Sequence, residues 1–222
     1  MARTRAATYD AQRQFIVEAA AHAFAEIGFP SASMNDIARR CGVSKGLLYH
    51  YYPSKERLLF DLTAQYTQRL VALVEEVEHR VSEPSRRLPE LIRVLLDEYQ
   101  TSQARHMVLL HDLRFLAASD RREVIGNQRR VIEVFASAIR AAHRLPAQGT
   151  IVKPATMMLF GMMNWTFTWL KPEKGVSYAE FGEMVATVFV AGVEALARAP
   201  ARAPPRARRS GARRGAGVVD SA

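Results

Sequence analysis

Three serines between residues 33 and 56 each stand where a helix would begin. Ser33 is followed three residues later by Asp36, which can complete a capping box, and Ser44 and Ser54 precede further helical patterns. The start of a helix carries free N–H groups, which bind phosphate and other anions. The stretch therefore has the chemistry of an anion-binding surface.

Side chains in the same stretch add hydrogen-bond donors. Lys45, Tyr49 and Lys55 can donate to phosphate oxygens. Leu47 is apolar and exposed in this interpretation, so it could contact a thymine methyl group. Gly46 costs about 1 kcal/mol in a helix relative to Ala. A bare position on an exposed face is reasonable if another surface must approach the backbone closely.

Catalytic chemistry is not indicated. His106, His111 and Asp112 are close in sequence, but positions five apart do not stack on one helix face as positions four apart do. We find no pair of Glu-x-x-His motifs such as a di-metal helical bundle requires, no Gly-rich loop after a strand and no nucleophile elbow. We therefore expect neither an enzyme nor a bound metal or cofactor.

The elements that position the anion-binding residues are two short helices. The first is predicted to begin after Ser33 and to end at Gly42, which tolerates a left-handed conformation. The second is predicted from Lys45 to about Tyr51 and is stopped by Pro53. This arrangement is a helix-turn-helix, whose second helix enters the DNA major groove. The spacing places one set in the core (Ile37, Cys41, Val43, Leu48) and another outside (Ser44, Lys45, Gly46, Leu47, Tyr49, His50).

Residues 43–56 resemble the recognition-helix signature of the tetracycline-repressor (TetR) family of bacterial transcription regulators. The resemblance spans roughly residues 10 to 60, including Ile16, Phe24, Gly28, Ile37 and Ala38. It implies contacts with a double-stranded DNA operator through Ser33, Met34, Ser44, Lys45, Gly46, Leu47, Tyr49, His50 and Lys55. Leu47 departs from the family, which more often has a small or hydroxyl residue there, so the base preference stays open. The residues alone also allow an ordinary helical bundle with capping serines.

Composition bounds the class of protein. The single cysteine, Cys41, excludes an internal disulfide and suits the reducing cytoplasm. The N-terminal residues are not followed by an apolar run, so no signal peptide is expected. The most apolar stretch, 155–170, is shorter than the roughly 20 residues of a membrane span. Of the net charge of +9, residues 198–222 supply +6, from seven Arg and one Asp.

Apolar periodicity is helical throughout, so the predicted fold is all-α. We expect a basic N-terminal arm (1–9), a three-helix DNA-binding domain (10–56), a helical ligand-binding and dimerisation domain (57–198), and a disordered Arg/Pro/Ala-rich tail (199–222). Arg3 and Arg5 could enter a minor groove or be a disordered terminus. The tail could add non-specific DNA affinity. The alternative function is a helical scaffold that binds nucleic acid or a membrane surface through this tail.

The last two helices carry unusually broad apolar faces. A helix that is apolar around most of its circumference must be covered on every side. The family resemblance implies that these helices pair with their twins in a homodimer. Such a dimer would bind a palindrome with half-sites about 34–36 Å, or a multiple, apart.

The resemblance also implies a small-molecule effector in the C-terminal helices, and most often a repressor, although an activator would look the same. Aromatic residues that could line its site are Tyr99, Phe115, Trp165 and Trp169. Asn164, a polar group in an apolar helix, requires a partner, either the ligand or its dimer mate. Residues 161–181 resemble a TetR subgroup that responds to acyl-CoA thioesters. Arginines available for CoA phosphates are Arg105, Arg114, Arg129 and Arg130.

Overall fold

The computed structural model describes residues 2–143 and 151–198, so the predicted disordered tail (199–222) lies outside the described residues. All regular structure in these ranges is helical, which confirms the all-α prediction. The helices are α1 (Ala2–Ile27), α2 (Met34–Arg40), α3 (Lys45–Tyr51), α4 (Lys55–Arg80), α5 (Pro84–Thr101), α6 (Gln103–His111), α7 (Ala118–His143), α8 (Val152–Asn164), α9 (Thr166–Trp169) and α10 (Tyr178–Arg198). Short 3₁₀ turns occupy Leu113–Phe115 and Pro172–Lys174.

Helix α1 begins earlier than the sequence pattern suggested. Its backbone is helical from Ala2, whereas a flexible leader was expected before Asp10. Residues 2–9 contain three alanines and neither glycine nor proline, so nothing in the local sequence opposes the helix. The apolar pattern begins later, because the core that α1 covers begins at Ile16.

The three predicted helix starts form as expected. Ser33 and Asp36 make a capping box, with the Asp36 N–H 3.2 Å from Ser33 Oγ and the Ser33 N–H 3.1 Å from Asp36 Oδ2. Ser44 and Ser54 each accept a backbone N–H at 3.1 Å. Gly42 adopts φ +62° after α2, a conformation that side chains with Cβ rarely adopt.

Helix α4 joins the N-terminal three-helix head (α1–α3) to the C-terminal helices. It packs against α1 near its start and against α5, α6 and α7 along its length. Helix α10 packs mainly on α5, and α8 packs on α7 and α10. One continuous apolar core includes residues of both the head and the C-terminal helices. A displacement in the C-terminal helices can therefore reach the head through packed side chains.

Candidate DNA-binding surface and ligand cavity

Helix α3 presents one buried side chain and a broad exposed face. Leu48 is fully buried and belongs to the same apolar core as Ile37 and Cys41 of the preceding helix segment. The exposed residues are Ser44, Lys45, Gly46, Leu47, Tyr49 and His50. The exposure predicted for these six residues is confirmed, and their contact with DNA stays a prediction.

The exposed face of α3 combines a cation, a ring and a bare backbone position. Lys45 Nζ lies 5.8 Å from the centroid of the Tyr49 ring. A Cβ added at Gly46 would meet no atom within 4 Å, so packing inside the protein does not require glycine there. The fold therefore leaves this position free for close approach of another molecule.

Two residues of the predicted DNA contact set are turned inward. Met34, the first residue of α2, is buried in the apolar core. Lys55 Nζ donates to the main-chain oxygens of Phe29 at 2.7 Å, Ala32 at 2.9 Å and Pro30 at 3.2 Å. It also lies 4.4 Å from the Phe29 ring centroid. These contacts occupy the ammonium donors, so Lys55 fixes the α1–α2 loop and is removed from the proposed phosphate contacts.

A charged cluster holds the end of α3 against α1 and α4. Arg13 pairs with the buried Asp61, and Arg57 Nη2 lies 3.1 Å from Asp61 Oδ1. Arg13 Nε also donates to the Tyr52 hydroxyl at 3.1 Å. Burial raises the pKa of Tyr52 to about 12, so this hydroxyl keeps its proton. The cluster fixes where α3 ends and hence the direction of its exposed face.

Phe115, predicted to line a ligand site, lies instead at the junction with the head. Helix α6 ends at His111, and the following 3₁₀ turn carries Phe115 toward the α1–α2 loop. There its ring stacks on Phe29 with centroids 5.1 Å apart. A second link joins the same helix to α1, because Arg105 Nη2 lies 2.7 Å from Glu18 Oε2. Phe115 is thus packed against the head, and its predicted contact with a ligand stays a prediction.

A cavity of about 260 Å³ lies among α4, α5, α6, α7 and α8. Its lining is largely apolar, and it includes Tyr99 and Asn164 as the sequence predicted. The Tyr99 hydroxyl donates to Asn164 Oδ1 at 3.2 Å, so the partner of this amide oxygen is a side chain of the same chain and not the ligand or dimer mate that was predicted. The remaining lining residues are Thr67, Leu70, His106, Leu109, Leu110, Ile125, Gln128, Arg129, Val131, Ile132, Met157 and Phe160.

His106 is the cavity residue whose role the sequence did not reveal. It is only 2% exposed, its ring stacks on Tyr99 at 3.8 Å between centroids, and its Nδ1 lies 3.3 Å from the Tyr66 hydroxyl. Burial lowers the pKa of His106 to about 4, and the main-chain carbonyl of Asn164 opposes this shift. The imidazole is therefore neutral at pH 7. The available signal was a histidine among apolar residues at helical spacing, which does not distinguish a core residue from a ligand contact.

The two tryptophans predicted to line the ligand site are at the surface. Trp165 is 58% exposed and Trp169 is 54% exposed, because α8 ends at Asn164 and the chain turns there. Other exposed apolar residues on α8 and α10 are Met157, Met158, Met184, Val188 and Leu196. The tryptophans thus belong to an outer apolar face of these last helices and lie outside the cavity lining, so their predicted contact with a ligand stays a prediction.

The four arginines considered for CoA phosphates have different environments. Arg105 pairs with Glu18, and Arg130 pairs with glutamates of α4. Arg114 lies over the Phe115 ring at 4.8 Å. Arg129 lines the cavity and has no ion-pair partner within the described ranges. It is the one of the four that the fold places at the candidate ligand site.

Among the helices that the structure describes, none is long and apolar enough to cross a membrane. Side chains of the described ranges also form no group of three or more His, Cys, Asp or Glu residues that could hold a metal ion.

Comparison with known families identifies two domains. A family profile described as "Bacterial regulatory proteins, tetR family" matches residues 16–62, which include α2 and α3. A second, described as "Tetracyclin repressor-like, C-terminal domain", matches residues 81–193, which is about half of the chain.

Two solved structures resemble the chain over both matched domains. A TetR-family transcriptional regulator from Bordetella parapertussis 12822 superposes with a TM-score of 0.76 and 35% identity, covering 80% of this chain and 93% of that one. AibR, crystallised with isovaleryl coenzyme A and operator DNA, has a TM-score of 0.71 at 21% identity, covering 81% and 98% of the two chains. That likeness shows the fold alone.

The sequence similarity to curated proteins covers only part of the length of each relative. The transcriptional regulator UidR of Escherichia coli K12 is 42% identical over 64 residues, which are 29% of this chain and 33% of UidR. The chain thus spans about a third of the length of the first curated relatives that it matches. With both domain profiles matched in order and a 35% identical neighbour covered almost throughout, the chain belongs to the TetR family of DNA-binding transcriptional regulators.

Proposed function

We propose that this regulator is a homodimeric repressor that acts in the cytoplasm, binds a palindromic operator and is released by an acyl-CoA thioester. The observation that carries the proposal is the placement of α6. This helix lines the cavity with His106 and Leu109, and it leads directly to the turn whose Phe115 stacks on Phe29 of the head. One short helix thus contacts both a site for a small molecule and the domain that contacts DNA.

On the DNA side, the proposed contacts come from two helix starts and the exposed face of α3. Lys45 and Tyr49 would donate to phosphates, and the free N–H groups at the starts of α2 and α3 would bind the same anions. Gly46 and Leu47 would lie closest to the bases. The inward positions of Met34 and Lys55 leave them as supports of this surface.

For dimerisation, the outer apolar face of α8–α10 is proposed to meet its copy. It carries two tryptophans together with Met158, Met184 and Val188, all exposed in the single chain. An exposed apolar patch of this kind is characteristic of an interaction site. A second copy is the partner that lets two heads bind two half-sites of one operator.

For the effector, three features favour an acyl-CoA. The cavity lining is mostly apolar, as an acyl group requires. Arg129 supplies a cation at the cavity for a phosphorylated ligand. AibR, which has the same fold, was crystallised with an acyl-CoA.

Release requires that the effector bind the non-operator conformation more tightly than the operator-bound one. Two contacts with the head provide the route: Arg105 of α6 pairs with Glu18, and Phe115 of the turn that follows α6 stacks on Phe29. A shift of α6 around a filled cavity would alter both contacts and hence the spacing of the two heads.

The test is a gel-shift titration of the full chain with the DNA upstream of its own gene, with and without butyryl-, hexanoyl- and octanoyl-CoA. Release by a thioester but not by CoA or the free acid supports the proposal. Salt-sensitive, sequence-selective binding that no thioester disturbs would keep the DNA-binding regulator and reject the acyl-CoA effector. Equal binding to unrelated DNA would reject the operator proposal.

A further inference from the structure

Three tyrosine hydroxyls near α3 make no hydrogen bond with any residue that the structure describes. They belong to Tyr9 of α1 and to Tyr49 and Tyr51 of α3. Tyr9 is 41% exposed and Tyr49 is 42% exposed. The other tyrosines of the chain each share a hydrogen bond with a side chain of the fold (Tyr52, Tyr66, Tyr99 and Tyr178). The tyrosine hydroxyls that the fold does not use are thus gathered at the surface proposed for DNA.

Tyr9 is held beside the end of α3 by contacts of α1. Its ring stacks on the Tyr51 ring, with centroids 4.7 Å apart and planes 29° from parallel. One turn further along α1, Arg13 donates to the Tyr52 hydroxyl and pairs with Asp61. Positions 9 and 13 share one face of a helix, so α1 meets the end of α3 along that face. Tyr9 is therefore a fixed part of the surface around α3.

The exposed side of α3 is bounded by two edges. Residues four apart lie on the same edge of a helix, whereas residues two apart point to nearly opposite sides. Lys45 and Tyr49 therefore form one edge, and Leu47 and Tyr51 form the other. Tyr9 adjoins the second edge through its stacking on Tyr51. The first edge carries a cation and a hydroxyl, and the second carries the hydroxyls of the two stacked tyrosines.

A helix in the major groove lies between the backbones of the two DNA strands. The groove is about 12 Å wide, and an α-helix with its side chains is about 10–12 Å across. Each edge of the helix therefore faces the phosphates of one strand. Tyrosine hydroxyls are among the groups that donate to phosphate oxygens. The phosphate contacts of Lys45 and Tyr49 then concern one strand, and the second edge faces the other.

We propose that Tyr9 and Tyr51 form a second phosphate-binding edge, and that their hydroxyls donate to the strand opposite the one contacted by Lys45 and Tyr49. This inference rests on the proposed placement of α3 against DNA. It adds a contact from α1, outside the two helices of the helix-turn-helix. Contacts with phosphates on both strands fix the orientation of the recognition helix in the groove, and they carry no sequence preference of their own.

Replacing each tyrosine by phenylalanine tests the hydroxyl alone. Tyr9→Phe and Tyr51→Phe keep the stacked rings, so the thermal unfolding temperature should not change. Each variant should bind a duplex of the upstream DNA about tenfold more weakly in an anisotropy titration at fixed salt, as for one hydrogen bond to a charged group. The salt slope should stay that of the wild type, because a neutral donor displaces no counterion. Wild-type affinity in both variants would overturn the inference.

Tyr178→Phe is the matched control for loss of a tyrosine hydroxyl. The Tyr178 hydroxyl accepts from Gln103 among the C-terminal helices, so it is separate from the surface around α3. This variant should bind the duplex with wild-type affinity. A loss equal to that of Tyr9→Phe would show that the effect does not arise at the second edge, and would contradict the assignment.

Single methylphosphonate groups, which are neutral, locate the contacts on the two strands. At the phosphate bound by Tyr9, the replacement should weaken binding of the wild type but not of Tyr9→Phe. The same comparison with Lys45→Ala identifies the phosphate bound by Lys45. The two phosphates should lie on opposite strands, on either side of one major groove. Both phosphates on one strand would overturn the second edge.

The wild-type titration separates this inference from the proposal on which it rests. Equal binding of the upstream duplex and of unrelated DNA would reject the operator proposal together with the second edge. Sequence-selective binding by the wild type, with unchanged affinity in Tyr9→Phe and Tyr51→Phe, would reject the second edge alone.

Discussion

At the scale of single residues, the surroundings of His106 determine its protonation state more than its residue type does. In the sequence His106 is close to His111 and Asp112, and their spacing does not indicate a catalytic site. In the fold its ring is enclosed by Tyr66, Tyr99 and Phe167, which are far apart in the sequence. Such an enclosure depends on tertiary contacts, so no local pattern could predict it.

The buried imidazole predicts a pH dependence of stability. Its pKa of about 4 in the folded chain lies below the ordinary value of 6.5, so the unfolded chain binds more protons between these limits. Stability therefore rises with pH from about 4 to 6.5 and is lost as pH falls through that window. The loss attributable to this group is on the order of 3 kcal/mol at pH 4.

Denaturant unfolding of the wild type and His106→Gln at several pH values between 4 and 7.5 measures this effect. The difference in unfolding free energy between the two proteins should change by that amount across the window. His111→Gln serves as an exposed-histidine control. Parallel pH profiles for wild type and His106→Gln would show that the imidazole is not desolvated as described.

At the scale of the helical elements, capping and turn chemistry was the most predictable feature. Ser33, Ser44 and Ser54 cap helices and Gly42 takes a positive φ, because these effects depend on neighbouring residues only. The direction of side chains beyond a helix end was not predictable in the same way. Phe115 and Trp165 follow the ends of α6 and α8, where the helical pattern no longer determines which surface they contact.

Lys45 and Lys55 also show that local sequence does not predict the direction of a side chain. Each follows a capping serine directly, so the sequence treats them alike. The fold exposes Lys45 on α3 but directs Lys55 into the α1–α2 loop, where three carbonyls accept from it. The difference arises because α4 begins beside that loop.

Substitution of Lys45 should therefore affect DNA binding, whereas substitution of Lys55 should affect the stability of the fold. Lys45→Ala should weaken operator binding and lower the slope of log affinity against log salt by about one, with no change in thermal stability. Lys55→Met should lower the unfolding free energy by about 2 kcal/mol, since charged hydrogen bonds to the loop are lost. It should leave the salt slope unchanged at temperatures where the variant is folded. A lower salt slope for Lys55→Met together with a lower unfolding free energy for Lys45→Ala would contradict these roles.

At the scale of the whole molecule, the exposed apolar face of α8–α10 should determine the oligomeric state. Val188 is 62% exposed in the single chain, so a charge there is not buried within the subunit. In a dimer formed through this face it would be buried opposite its twin. Val188→Glu should therefore yield a folded, helical monomer.

Sedimentation analysis and operator titration test that prediction together. The monomer should bind operator on the order of 100-fold more weakly, because the second head no longer binds at high effective concentration. Ala72→Glu, at an exposed position on α4, is the matched control and should remain dimeric. A dimeric Val188→Glu variant would place the interface elsewhere.

The central claim is that the exposed face of α3 contacts DNA, and Gly46→Ala tests it most directly. An added methyl group meets no protein atom and replaces a poor helix former, so stability should stay equal or rise by up to about 1 kcal/mol. Operator affinity, measured by titration at fixed salt, should fall at least about tenfold because the methyl group occupies space needed by the bases. Unchanged affinity with an intact, folded protein would contradict the placement of DNA against this face.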